Sequence, residues 1–324
     1  MKLSEIYEKG QSEIGKHGFA FLLEGVETEF VLSNNRRVID RYTFLPQCID
    51  AVEPITATTI LGVELKTPVI MSAMTMPIPV IAEDGLLQVA EGLKDAGSLM
   101  WTGTPVPKDL KQLVGTGVPV AATVKPFKDR KKMFEALEEI QSAGVVWAGV
   151  EVDVGQGTKI RDQPIVADCS PISFSELKEV RKSISGPMIL KGILSRIDAE
   201  KAIESGADGI VISNHGAHTI DYLPHPFQIM DDIVGITKGH IAVMVDGGFR
   251  RGSDVCKGLA FGASLVGLGR PILWALAAGG KEGVKELVEE ITEELRRIMG
   301  MIGARDPESI NRSSLIEEKY WITS

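Results

Sequence analysis

Cysteine is scarce in this 324-residue chain, and Cys48, Cys169 and Cys256 are odd in number and far apart. Neither a disulfide framework nor a metal cluster is indicated. No apolar run reaches the roughly 18 residues that span a bilayer. The first twenty residues carry Glu5, Glu8 and Glu13 and contain no signal-peptide core. An excess of positive charge is missing too. The net charge of -9 argues against a nucleic-acid surface and a broad basic membrane patch, though a local anion site needs only a few basic groups. No linker or low-complexity stretch divides the chain. What is left is a reduced, cytosolic protein of ordinary globular balance, 44% hydrophobic and 24% charged, able to bury a sizeable core.

From Pro68 onward the sequence alternates. Strand candidates are Val69–Ala73, Leu99–Thr102, Val118–Val124, Val146–Asp153, Met188–Lys191, Gly209–Ser213, Ala242–Asp246 and Leu265–Leu268. Short, β-branched apolar runs bounded by glycine are buried on both faces. Between most of them lie segments of helical apolar period: Asp84–Ala96, Arg130–Ala143, Ser173–Ser183, Ile197–Ser205 and Gly252–Phe261. Ala96-Gly97, Ala143-Gly144, Gly206-Ala207 and Gly262-Ala263 supply C-cap signals. Eight such units predict an α/β fold, a closed (β/α)8 TIM barrel rather than an open doubly wound sheet. Residues 1–33 read as an N-terminal helical extension broken by Gly18 and Gly25. Asn34-Asn35-Arg36-Arg37 and Pro46 read as turns, Thr58–Leu65 as a small hairpin, and Lys281–Met299 as a long amphipathic helix. One domain is expected: N-terminal helices and cap over 1–67, barrel over 68–300, and a C-terminal tail over 301–324.

In a barrel the chemistry comes from the carboxyl ends of the strands. The tips of strands seven and eight, Asp246-Gly247-Gly248 and Gly269-Arg270, combine glycines that allow close backbone approach with Arg250 and Arg270 for bidentate contacts. A following helix would offer free N–H groups, so this end reads as a phosphate site. Plain turn chemistry with surface arginines is the alternative. On the strand-six tip, Ser213-Asn214-His215-Gly216, His215 reads as a general base held by the carboxylate of Asp153. Lys191 ends an apolar strand and cannot be buried without a partner. A cofactor oxygen that takes negative charge is one candidate; a core ion pair with Asp153 or Glu151 is the other. Trp101 and Trp147 read as packing.

Together these residues resemble the flavin mononucleotide (FMN)-dependent 2-hydroxy acid oxidases and dehydrogenases, from about Phe19 to Ile316. The specific matches are Arg41-Tyr42-Thr43-Phe44-Leu45-Pro46, Thr58-Thr59-Ile60-Leu61-Gly62, Lys128-Asp129-Arg130, Lys191-Gly192, Ser213-Asn214-His215-Gly216, Asp246 to Val255, and Gly269-Arg270-Pro271. By that resemblance His215 is the base that takes a substrate proton, and Asp153 steadies its imidazolium. Lys191 would lie by the flavin N1/C2 carbonyl. Gly248, Arg250, Gly269 and Arg270 would hold the phosphate, and Asp246 the ribityl chain. Ala73 would lie near the flavin N5, with Thr104, Thr123 and Ser213 among the cofactor contacts. The resemblance also implies a homotetramer. Oxygen, a quinone or a protein are the candidate electron acceptors.

The departures concern the substrate. The family pattern Ser-Asn-His-Gly-Gly-Arg ends in an arginine that pairs with the substrate carboxylate; here the run is Ser213-Asn214-His215-Gly216-Ala217-His218. His218 has no fork and only a conditional charge. Phe21 and Lys125 fall where the family has substrate-facing tyrosines, and Thr123 where it has a glutamine. Val154–Ile172 lacks a clear match to the family's gate loop, with Lys159 and Arg161 only loosely placed. Loss of one bidentate pair costs on the order of 2–5 kcal/mol in binding if nothing replaces it. Lys125, His218 or Arg161 could rebuild an anion pocket; equally, the substrate has no carboxylate at the reacting carbon. The expectation is an FMN oxidoreductase with a divergent small-molecule substrate. Two alternatives stay open: a non-oxidising FMN barrel of the type 2 isopentenyl diphosphate isomerase kind, and a barrel that holds FMN without catalysis.

Overall fold

The computed structural model describes residues 1–49 and 51–318. The chain opens with α1 (Leu3–Lys16), α2 (Phe30–Asp40), β1 (Tyr42–Phe44) and a hairpin, β2 (Thr58–Ile60) and β3 (Val63–Leu65). The barrel begins with β4 (Val69–Met71), α3 (Pro77–Ile81), α4 (Gly85–Ala96), β5 (Met100–Thr102), α5 (Leu110–Gly115), β6 (Val120–Val124), α6 (Arg130–Ser142) and β7 (Trp147–Glu151). After β7 comes a second hairpin, β8 (Thr158–Ile160) and β9 (Gln163–Val166). Then follow α7 (Phe174–Ser183), β10 (Met188–Ile193), α8 (Arg196–Glu204), β11 (Gly209–Ile212), α9 (Met230–Thr237), β12 (Ala242–Val245), α10 (Gly252–Ala260) and β13 (Leu265–Leu268). The long α11 (Arg270–Met301) and β14 (Leu315–Glu317) complete the described chain.

Eight parallel strands form one sheet in the order β4-β13-β12-β11-β10-β7-β6-β5. Hydrogen bonds from Met71 N to Leu99 O and from Met74 N to Trp101 O, both 3.1 Å, join its two ends. The fold is a TIM barrel. Side chains alternate across each strand, so Ile70, Trp101, Ala121, Ile189, Val211 and Met244 fill the inside. The opposite faces pack against the helices. Ile60, Leu61 and Val63 of the first hairpin pack on the inner cluster, and Trp147 Nε1 donates to Leu61 O at 3.4 Å. That plug seals the amino end of the barrel, leaving the carboxyl end for the site. Trp101 and Trp147 meet edge to face at 6.1 Å inside the barrel.

Each expected barrel strand is present; most are shortened at their ends by a residue or two, Leu265–Leu268 is as expected, and the strand from Met188 runs on to Ile193. Asn34-Asn35-Arg36-Arg37 is not a turn but the middle of α2. Long-range partners override the local turn preference: Arg36 pairs with Asp254 at 2.7 Å, while Asn34 and Asn35 are buried against Gln228 and Asn214. The expected helix from Lys281 is present, as the second half of α11; a first helical segment from Arg270, separated from it by the non-helical Gly279-Gly280, was not expected. Sequence periodicity also passed over the short helices α3, α5 and α9 and the hairpin β8–β9. Strand β14 returns to pair with β1, with Thr43 opposite Ile316. The last six residues of the expected tail lie outside the described residues. Among the described residues, no helix is long and apolar enough to cross a membrane.

Helix α1 docks on α11 because Gly10 lets the two backbones meet; a Cβ there would lie 2.1 Å from Trp274 O. Gly10→Ala should therefore destabilise the protein by about 1–3 kcal/mol through overpacking. Urea unfolding checks this, and an unchanged midpoint would place α1 elsewhere.

Candidate active site

Three strand ends bring the acid–base groups together. Strand β7 ends in Glu151 and runs into a turn that carries Asp153. Strand β10 carries Lys191 and bulges at Gly192. A Cβ at Gly192 would lie 2.2 Å from Asp153 Cγ, so only glycine lets this carboxylate lie against the strand. Beyond β11, His215 adopts φ 54°, a left-handed conformation that costs on the order of 1–3 kcal/mol. Its surroundings hold it there. The His215 N–H donates to Ser213 Oγ at 3.0 Å, and Ser213 donates to Asp246. The neighbouring Asn214 donates to Asn35 Oδ1 at 2.7 Å and to Pro224 O at 3.2 Å.

His215 Nδ1 lies 3.0 Å from Asp153 Oδ2 and 3.3 Å from Lys191 Nζ. With Nδ1–H given to the carboxylate, Nε2 is left as the proton acceptor. Burial alone would raise the Asp153 carboxyl, but the charge and hydrogen bond of His215, with Lys191 and Lys125, hold it below the usual range. Burial likewise opposes the Lys191 charge, yet Glu151, Asp246 and Asp153 keep its ammonium above the ordinary lysine value. Both charges persist out of water because each has the other nearby.

Glu151 was named from sequence only as a strand tip and a partner for Lys191; it sits at the centre of the cluster. Its Oε2 is 3.6 Å from Lys125 Nζ and 3.5 Å from His215 Nε2, and its Oε1 accepts from Thr123 Oγ1 at 3.1 Å. Burial raises its carboxyl, and Lys125, Lys191 and His215 outweigh that and keep it ionised. The signal was present: a glutamate closing an apolar strand needs partners as much as Lys191 does. Thr123 accepts from Trp101 Nε1 at 3.2 Å and lies below the floor of the cleft, while Thr104 lines it and accepts from Lys125 N at 3.0 Å.

The other end of the cleft is lined by Gly247, Gly248, Arg250, Gly269 and Arg270, with Ala73, Ser72 and Asp246 at its side. Gly248, at φ 86°, brings its backbone against α2, where a Cβ would meet Asn35 Cβ at 2.8 Å. Arg270 is part-buried and donates to three carbonyls, Leu23 at 2.9 Å, Glu24 at 3.0 Å and Gly216 at 2.9 Å, with its guanidinium also 3.3 Å from His218 Nε2. Burial, and next the charge of Arg250, push it down to about 10. Burial and Arg36 lower Arg250 too. Among the described residues neither arginine has an acid partner. A part-buried Arg270 lowered by the charge of Arg250, with the partnerless Ser72 hydroxyl lining the same cleft, suits an anionic ligand such as a phosphate.

Several expected contacts fall elsewhere. The N–H groups opening α10 are not free: Asp254 accepts from Arg250 N (2.8 Å) and Arg251 N (3.2 Å), and Glu294 from Gly252 N (2.9 Å). An anion at this end is left to the arginines and the glycine backbone. His218 lines the cleft but donates from Nε2 to Glu24 O at 2.9 Å, and burial with the charge of Arg270 pushes it down to about 3. It is neutral and cannot replace an arginine. Arg161 points away from the cleft, paired with Glu24 at 2.7 Å, and Phe21 is exposed while its neighbour Leu22 lines the cleft. The unmatched segment after β7 forms the hairpin β8–β9, whose Thr158, Ile160, Ile165 and Val166 wall the cleft. Arg161 N bonds Gly25 O at 2.7 Å and Lys159 N bonds His218 O at 2.8 Å, which ties this wall to the N-terminal segment and to the loop after β11.

Comparison with known proteins agrees in fold and length. The family described as FMN-dependent dehydrogenase matches residues 11–167 and 165–317. A 2-hydroxyacid oxidase of Dictyostelium discoideum is 27% identical over 99% of this chain and 92% of its own. An L-lactate oxidase of Lentilactobacillus hilgardii is 30% identical over 99% of this chain and 95% of its own. A crystal structure of mandelate oxidase with 3,3-difluoro-2-hydroxy-3-phenylpropionic acid superposes with a TM-score of 0.89 at 30% identity, covering 97% of this chain and 98% of that one.

Buried histidines give the molecule a pH dependence. His225 accepts from Phe227 N at 3.1 Å and donates to Gly247 O at 3.0 Å, and burial pushes it, like His218, from 6.5 down to about 3. Both are neutral when folded, so below pH 6.5 the unfolded chain takes up protons that the folded chain refuses. Stability present above pH 6.5 should be lost progressively toward pH 3. Thermal unfolding at pH 7 and pH 4.5 tests this: Tm should fall in acid, and His225→Gln should lose part of the fall. Equal Tm values at the two pH values would contradict the buried neutral state.

Proposed function

The chain belongs to the FMN-dependent dehydrogenase family, and we propose that it oxidises a hydroxy compound related to the 2-hydroxy acids, with His215 as its base. The observation that carries this reading is His215 Nδ1 at 3.0 Å from Asp153, beside Lys191, in the same cleft as two arginines without acid partners. FMN fits the residues present. Arg250, Arg270 and the Gly248 and Gly269 backbone would hold its phosphate, Asp246, Ser213 and Thr104 its polar edges, and Ala73 would lie along its ring. Bound FMN supplies the two-electron acceptor for the hydrogen leaving the substrate carbon as hydride.

His215 Nε2 takes the hydroxyl proton as the carbon–oxygen bond becomes a carbonyl. The imidazolium so formed lies against the ionised Asp153, which lowers the cost of charging a half-buried ring. Lys191 would supply a fixed positive charge that stabilises the reduced, anionic flavin. The hairpin β8–β9 and the Leu22 turn wall off water on the apolar side of the cleft. Burial of both Lys191 and Asp153 speaks for catalysis over a ligand-only role, since phosphate binding requires neither. A homotetramer in the cytosol belongs to the same reading, by likeness to the family and from the sparse cysteines.

An anaerobic stopped-flow screen of the FMN-loaded protein against 2-hydroxy acids, amino-hydroxy acids and neutral alcohols tests the proposal. At least one compound should bleach the flavin band. His215→Ala should slow that bleaching by about 10²–10⁴-fold while FMN stays bound. Bleaching at the wild-type rate in His215→Ala, or none with any compound, would overturn it.

A further inference from the structure

The acid–base cluster contains more charge than proton removal requires. Asp153 and Lys191 already serve His215; Lys125 and Glu151 form a second pair, 3.6 Å apart, on neighbouring strands β6 and β7. Both side chains are nearly inaccessible, yet both line the cleft that holds His215. The Lys125 cation is therefore spent on Glu151 and is not a free counter-ion for a substrate carboxylate. Glu151 in turn faces Nε2, the nitrogen that accepts the substrate proton, at 3.5 Å. A carboxylate on the reacting carbon would bring its own anionic oxygens against this ionised oxygen. His218 and Arg161, the other groups expected to rebuild an anion pocket, do not relieve that repulsion: one is neutral and the other is paired with Glu24 outside the cleft, while Lys191 is already engaged with His215 and the carboxylates.

The pair offers one donor, the Lys125 ammonium, beside one acceptor, the Glu151 carboxylate. Its complement is a group with one acceptor beside one donor. A carboxamide has that pattern and a carboxylate, with two acceptors, does not. We infer that Lys125 and Glu151 select a 2-hydroxy amide, its carbonyl oxygen accepting from Lys125 and its N–H donating to Glu151, in preference to the corresponding 2-hydroxy acid. The leucine, isoleucine, methionine and valine side chains around the cleft, Leu22, Met74, Ile160, Ile165 and Val166, then receive the rest of an apolar substrate. Thr123 is a positioning residue in this arrangement: its hydroxyl donates to Glu151 Oε1 and fixes which oxygen faces Lys125.

This inference rests on the oxidoreductase reading of the same site, and the test separates the two. Lactate and lactamide, and mandelate and mandelamide, are compared by calorimetric binding to FMN-loaded His215→Ala and by flavin reduction in wild type. The amide of each pair should bind at least tenfold more tightly and reduce the flavin with the lower KM. Glu151→Gln exchanges an acceptor for an amide that can also donate, and should swing the acid-to-amide binding ratio by at least tenfold toward the acid. Tighter binding of the acids in the wild-type background, or a ratio unmoved by Glu151→Gln, overturns the assignment. The wild-type comparison stands even if Glu151→Gln fails to fold. Flavin reduced by acids but not amides would reject this inference alone; flavin reduced by no compound in the wider screen would reject the oxidoreductase reading as well.

Discussion

A charge taken out of water must find a partner or change its protonation state. At the carboxyl end of this barrel two groups of charges, one buried and one bordering the cleft, meet that requirement differently. Lys125, Lys191, Glu151 and Asp153 balance one another around His215 within 3.0–3.6 Å. Among the described residues Arg250 and Arg270 have no carboxylate partner, and burial with the charge of Arg250 lowers Arg270's hold on its proton. The first group is complete as it stands and is the one proposed to do proton chemistry. The second calls for an anion from outside.

The N-terminal extension is part of this arrangement and not a cap beside it. The carbonyls of Leu23 and Glu24 accept from Arg270, and Glu24 O also accepts from His218, fixing its neutral tautomer. From α2, Asn35 holds Asn214 next to His215 and packs against Gly248, while Arg36 reaches Asp254, which itself closes the start of α10. The barrel strands bring the catalytic groups to one face. The extension sets their orientation and gives the part-buried arginine its carbonyl partners.

Much of this was legible in the sequence. The eight strands stand out because parallel strands buried on both faces are continuous apolar runs, and their polar ends mark the site. His215, Asp153, Lys191, Arg250 and Arg270 could be picked out by position alone. What sequence left obscure depends on partners far along the chain. Asn34-Asn35-Arg36-Arg37 has the composition of a turn, and only Asp254, Gln228 and Asn214, some two hundred residues on, make it helical. His218 and Arg161 looked like replacement cations, but burial and the charge of Arg270 keep one neutral, and the Glu24 carboxylate draws off the other. Glu151 was read only as a strand tip and a possible partner of Lys191, because its central place comes from Lys125, on the adjacent strand, and not from its own neighbours. The free helix start after β12 failed for the same reason: Glu294, on α11, occupies it.

The central claim is that the acid-free arginines form a phosphate site, so that the cofactor is held by its phosphate. The most direct test is to strip the purified protein and titrate it with FMN and with riboflavin, following the quenching of flavin fluorescence. Two charge-assisted contacts at about 1.5–3 kcal/mol each imply that FMN binds roughly 10² -fold or more tightly than riboflavin, with one site per chain. Riboflavin binding as tightly as FMN, or no binding of either, would contradict the assignment of Arg250 and Arg270.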